Sequence, residues 1–211
     1  MAEKKLSIDD IAVDIKDVEK KLEEMKIKDL EIGGMREFKP KSPLAIAIYV
    51  IGLAMSLFHI WVLTIRAIDP WYFRTLHVLF AGTLLFLLVP GWKQKDKNKV
   101  HILDWILIVL LIAPAVYIFI EFDEWIYRVG VVPNTWDFIF SLMFVAAVWE
   151  MARRATGLPL AVLTAVFILY GHFGAYMPGL FYHKGYTWDR MITYLFSLDG
   201  ILGLPIQASA H

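Results

Sequence analysis

Cysteine is absent from all 211 residues, so the chain has no disulfide framework, no thiolate nucleophile and no Cys-based zinc site. Net charge is missing too, because 21 basic side chains balance 21 acidic ones. A nucleic-acid binder needs a basic surface, and that class is set aside. The sequence has no phosphate-binding glycine loop, no His-Glu-x-x-His pair and no Gly-x-Ser-x-Gly elbow. Nor does any apolar run hold paired carboxylates at helical spacing. These absences point away from an enzyme, and no catalytic, metal or cofactor-binding residue is expected.

What is present is apolar surface. The chain is 58% hydrophobic and 15% aromatic, with a mean hydropathy of +0.56, whereas soluble domains lie near 45–50% apolar and about 25% charged. Of the 42 charged side chains, 21 fall within the first 41 residues. The remainder is therefore more apolar than the average suggests, and the expectation is an all-α integral membrane protein behind a polar head. That head mixes acidic and basic residues, and the first apolar run is longer than a signal-peptide core, so no cleaved signal peptide is expected.

Within residues 1–43, Ile8, Ile11, Ile15, Val18, Leu22 and Met25 recur at spacings of three and four. This predicts an amphipathic cytoplasmic helix with a short heptad seam. It could dock a partner, or it could be a solvated helix on the membrane surface. Gly33 and Gly34 end it, and Pro40 and Pro43 keep the basic lead into the membrane out of helix.

Five apolar stretches follow: Leu44–Ile65, Trp71–Val89, Trp105–Ile120, Trp136–Met151 and Leu158–Phe173. The first, at 1.5 Å per residue, reaches roughly 33 Å, enough for a hydrocarbon core of about 30 Å. Trp71, Trp105, Trp125 and Trp136 are placed as interfacial anchors. Small residues such as Gly52, Ala54, Ser56, Ala146 and Ala147 are candidate packing points. Counting Lys and Arg in the short flanks gives eleven on one side, among them Arg36, Lys93–Lys99, Arg153 and Arg154, against five on the other. The richer side reads as cytoplasm, which puts the N-terminus inside.

Beyond the fifth stretch, glycine and proline punctuate a bend. Tyr186–Ser197 reads as an amphipathic helix at the outer interface, and Met191–Pro205 as a broken apolar run. Such runs are tolerated at membrane depth only inside protein or beside a cavity.

Few side chains invite a functional reading. Glu150 with Arg153 and Arg154, followed by the Gly157 and Pro159 break, marks a junction. Its acid–base spacing is either a mild helix stabiliser or a salt bridge fixing the junction to another element. His59 and His77 fall at matching depth, about 9 Å in, where imidazoles could bind haem iron axially; the alternative is hydrogen bonding to neighbouring helices. Asp199 is polar within an apolar run, a site or a helix cap.

Two stretches carry a family resemblance: EMARRATGLPLAVLTAVFILYG and PGLFYHKGYTWDRMITYLFSLDGILGLPIQASA. With WYFRTLHVLFAG and HILDWILIVLLIA upstream, the sequence over roughly residues 66–210 resembles the fused permease of TRAP transporters, the type paired with a TAXI solute-binding protein. The resemblance implies a four-helix small membrane domain at 44–155. It also implies the first scaffold helix and arm of a large domain at 156–211. In that family the large domain is an elevator carrying small organic anions, dicarboxylate-like, with sodium or protons. Its sites lie in hairpins and broken helices, and no ion or substrate residue carries over to this chain. The expectation is a scaffold piece of a longer or two-chain permease in the prokaryotic inner membrane. Its expected partners are a large permease chain, the TAXI protein and the bilayer. The alternatives are a haem-bearing electron-transfer subunit and a stand-alone membrane adaptor.

Overall fold

The structure is a computed structural model describing residues 35, 36, 38–92 and 99–210. The expected heptad helix lies outside the described residues, as does most of the basic loop after the second span.

The chain is an all-α membrane protein. Five helices are long and apolar enough to cross a bilayer: α1 Pro43–Thr64, α2 Pro70–Leu88, α3 Ile102–Arg128, α4 Thr135–Thr156 and α5 Leu158–Phe173. Two 3₁₀ turns, Gly174–Tyr176 and Gly179–Phe181, shape the bend, and short helices α6 (Trp188–Leu195) and α7 (Leu204–Ala210) complete the fold. Consecutive spans pack side by side and antiparallel, with α2, α3 and α4 forming the centre. One end of the bundle gathers the starts of α1, α3 and α5 with the ends of α2 and α4; here it is called the junction end. The opposite end is the loop end.

Helix starts follow local chemistry. Ser42, Asp69 and Asn134 each accept a backbone N–H of the first turn, and Pro43 and Pro70 occupy first-turn positions. Gly157 serves as both the last cap of α4 and the first cap of α5, at φ +89° and ψ −179°. That backbone region belongs almost entirely to glycine and costs other residues about 1–3 kcal/mol. Gly157→Ala is therefore expected to lower the melting temperature measurably in detergent. Gly52→Ala, in open space on α1, is expected not to.

Two spans run past their expected ends. Trp105–Ile120 extends to Ile102–Arg128, because Glu121, Glu124 and Arg128 share a helical face and both glutamates pair with the arginine. Trp136–Met151 extends to Thr156, because Glu150, Arg153 and Arg154 also share one helical face instead of forming a turn. The amphipathic arm is shorter than Tyr186–Ser197, at Trp188–Leu195.

The core joins α2, α3 and α4 to the C-terminal segment. Phe196 stacks on Phe144 at 4.0 Å and lies 5.5 Å from Trp125. All three rings are buried, so Trp125 is a core residue and not an interfacial anchor. Trp105 and Trp136 are exposed. Of the small residues expected at helix contacts, Ala147 is buried, while Ala54, Ser56 and Ala146 face outward. The close approach instead runs over Gly82, where an added Cβ would collide with Leu111 of α3 and meet Met151 of α4 at 2.9 Å. The broken apolar run does not span. Residues 196–203 turn back on themselves through bonds such as Ile201 N to Leu195 O (2.8 Å) and Gly203 N to Gly200 O (3.0 Å). Arg74 then holds the segment to α2 by donating to Leu202 O (2.9 Å) and Gln207 (3.0 Å).

Candidate functional site: a buried ionic cluster at the junction end

A helix that stops inside a membrane protein leaves its last carbonyls without partners. At the C-terminus of α2, three arginines supply them. The Arg36 backbone N–H donates to Leu88 O (2.7 Å), and its Nη1 donates to Phe86 O (2.7 Å) and Leu87 O (3.0 Å). Arg154 donates to Val89 O (2.9 Å) and Arg153 to Gly91 O (3.0 Å). Cations at a helix C-terminus also meet the negative end of its dipole.

The same guanidiniums share two carboxylates. Asp104, in the first turn of α3, takes Arg36 on one oxygen and Arg154 Nη1 on the other, the latter at 2.7 Å. His101 and Asp104 cap each other in a reciprocal box that fixes the carboxylate's position. Glu150 on α4 receives Arg153 in a bidentate pair (2.7 Å and 2.7 Å) and Arg154 Nε at 2.8 Å. Arg154 further lies 5.0 Å over the Phe86 ring, and Arg153 lies 5.3 Å over Trp92.

This is not an exposed pair. The side chains of Arg36, Asp104 and Arg154 are 0%, 2% and 1% exposed, and Glu150 is 12% exposed. Ionic groups at membrane depth normally face the protein interior and pair there. Among the described residues the cluster joins three guanidiniums and two carboxylates. Arg36 Nε and Arg154 Nη2 are buried without a hydrogen-bond partner among the described residues. What the cluster does is mechanical: it binds the lead segment, the end of α2, the start of α3 and the end of α4 into one unit.

Of the junction residues singled out from sequence, Glu150, Arg153 and Arg154 meet in this cluster. Gly157 and Pro159 form the α4–α5 corner beside it, with Pro159 in the first turn of α5. Arg36 and Asp104 were not anticipated as members. In the sequence Arg36 is a flanking positive charge, and Asp104 lies just ahead of the third apolar stretch. The available signal was an unbalanced Arg-Arg pair facing a single acid at the start of an apolar helix.

A second cluster closes the loop end. Asp137 is fully buried and accepts Tyr117 Oη (2.6 Å), Arg128 Nε (2.9 Å) and Asn134 N (2.8 Å). Arg128 also reaches Glu124 at 2.7 Å. Thus α3 and α4 are tied by buried charge at both ends.

The remaining candidates resolve differently. His59 Nε2 and His77 Nδ1 are 2.9 Å apart, a direct hydrogen bond. Two imidazoles on one metal, each about 2.0–2.1 Å from it, need roughly 4 Å between nitrogens, so axial ligation would require these rings to part. Among the described residues no group of three or more His, Asp or Glu is arranged to hold a metal ion. Asp199 lies exposed in the turn between α6 and α7, its N–H bonded to Ser197 Oγ (3.1 Å), and it begins no helix. In the bend, His183 bridges back to Tyr170 O (3.1 Å) and accepts Gly185 N (3.1 Å), which fixes its position under α5.

Comparison with protein-family models, curated proteins and solved structures gives no match to this chain.

Proposed function

We propose that this protein is the membrane scaffold portion of a TAXI-type TRAP secondary transporter permease. In this reading it sits in the prokaryotic inner membrane with its N-terminus and junction end in the cytoplasm. Uptake of small organic anions, coupled to sodium or protons, belongs to a large permease domain or chain supplied by the partner. The scaffold itself does not transport and is not an enzyme.

The observation that carries the proposal is the junction cluster. It is built around Glu150, Arg153 and Arg154, within the motif that bears the resemblance, and it makes a rigid end out of four separate segments. A scaffold has to stay still while its partner moves through the bilayer. Removing one member of a buried ionic group costs about 3–5 kcal/mol, because the others are left charged and unpaired. Sliding α2, α3 and α4 past one another would incur that cost. The long, mostly exposed apolar faces of α1 and α5 leave both flanks open to lipid or to a partner's helices.

The test is affinity purification of the tagged full chain from its native membranes in mild detergent. A large permease chain and a TAXI solute-binding protein are the expected companions. Recovery of the intact chain with neither would overturn the proposal.

A further inference from the structure

At the loop end, a chain of hydrogen bonds crosses from α1 through α2 to α7. His59 Nδ1 lies 2.7 Å from Met55 O, and His59 Nε2 lies 2.9 Å from His77 Nδ1. His77 Nε2 is 3.2 Å from Ser209 Oγ, and Ser209 Oγ donates to Ile206 O at 3.0 Å. Both termini of this chain are carbonyl oxygens, which only accept. Four links therefore need four hydrogens. Two neutral imidazoles and one hydroxyl bring one each, a total of three.

The count has two consequences. A neutral chain always leaves one link empty, wherever the tautomers and the hydroxyl settle. A fourth hydrogen completes every link and leaves one positive charge shared between two rings. A fifth cannot enter, because two imidazolium rings would point N–H against N–H across the His59–His77 contact. The capacity is one.

We infer that His59, His77 and Ser209 form a binding site for a single proton, which when occupied fastens α7 to α1 and α2. The inference stands independently of the transporter reading.

The surroundings set the balance. His77 is 7% exposed, and Phe73 and Phe58 lie 5.3 Å and 5.4 Å from the His59 ring. Apolar packing opposes a charge, and the completed chain of bonds favours it. On α2, Arg74 lies one turn from His77 with its guanidinium directed to Leu202 O and Gln207. Asp69 caps the same helix two turns away, with Arg66 in the preceding loop. Tyr72 faces α3, against Phe119 and Phe122. The other ionisable residue of α1 is Tyr49, near its opposite end, and α7 has none.

The experiment is a pH titration of the full chain in lipid nanodiscs with ¹⁵N-labelled histidine, read by NMR of the ring nitrogens. His59→Gln and His77→Gln assign the two rings among the six histidines. The expected result is that both rings move together in one step that takes up one proton between them. Ser209→Ala shortens the chain to a length that two neutral rings fill, so it is expected to weaken proton uptake roughly tenfold or more. Thr64→Ala, which removes a hydroxyl bonded only within α1 to Ile60 O, is expected to leave the step in place. Independent titration of the rings with two protons would overturn the inference. So would neutrality of both rings from pH 4 to 9, an unmoved step in Ser209→Ala, or a haem absorption band in the purified protein.

Discussion

Asp104→Asn is expected to destabilise the protein by about 3–5 kcal/mol, the usual cost of removing one partner from a buried ionic group. The substitution barely changes shape, so packing loss is not the cause. It removes the negative charge that Arg36 and Arg154 share while both guanidiniums stay buried, one at 0% and the other at 1% exposure. Among the described residues the variant would leave three guanidiniums with Glu150 as their carboxylate. Thermal unfolding in detergent should show a fall in melting temperature on the order of 10 °C. Arg154→Gln should be costly too, since it also frees Val89 O. The two losses should not add, because each variant removes the other's uncompensated charge. A coupling energy of about 1–3 kcal/mol is expected from the double-mutant cycle.

Asp137→Ala should come next, at about 2–4 kcal/mol. Three effects combine there. The capping box of α4 opens, Tyr117 loses its acceptor at 2.6 Å, and Arg128 loses its only fully buried carboxylate among the described residues. The cost is held below that at Asp104 because Arg128 is 21% exposed and keeps Glu121 and Glu124. Glu124→Ala is the contrasting case. It touches the same arginine at 2.7 Å, but its side chain is 78% exposed, and exposed pairs of this kind contribute less than about 1 kcal/mol. Melting curves that ranked Glu124→Ala equal to Asp137→Ala would contradict the assignment of burial as the deciding factor.

The spans were legible because bilayer thickness dictates an apolar length. The ends of α1 and α2 fell within one residue of expectation, and those of α5 coincided with it. The apolar stretches stop short of the ends of α3 and α4 because charged residues interrupt them. In both helices the charged residues lie on a single face and find partners, so the helix continues through them. Burial was harder to read than length. Trp125 looks like an interfacial anchor by position, yet it lies beneath Phe196, which arrives from 71 residues further along. The junction shows the same division. Glu150, Arg153 and Arg154 are neighbours in sequence and announce themselves. Asp104 and Arg36, 68 residues apart, become partners only once the segment before α1 lies across the end of α2 and the start of α3. The matching depth of His59 and His77 was legible from residue counting. Their direct hydrogen bond, and Ser209 as third member, depended on the C-terminal segment folding back over α2.

These ties give a physical picture of the molecule. Buried charge fixes α3 to α4 at both ends and draws α2 into the junction end, while α1 and α5 are bound more lightly at the flanks.

The absence of cysteine makes the central claim, that this end of the bundle does not move, directly measurable. Leu103→Cys on α3 and Ala155→Cys on α4 are exposed positions beside the cluster and outside its contacts. Spin labels on that pair report the separation of the two helices by double electron–electron resonance in lipid. One narrow distance distribution is expected, unchanged when the partners proposed above, a large permease chain and a solute-binding protein, are added with a small organic anion. A distribution that broadens, or shifts by several ångströms on adding them, would contradict a stationary scaffold.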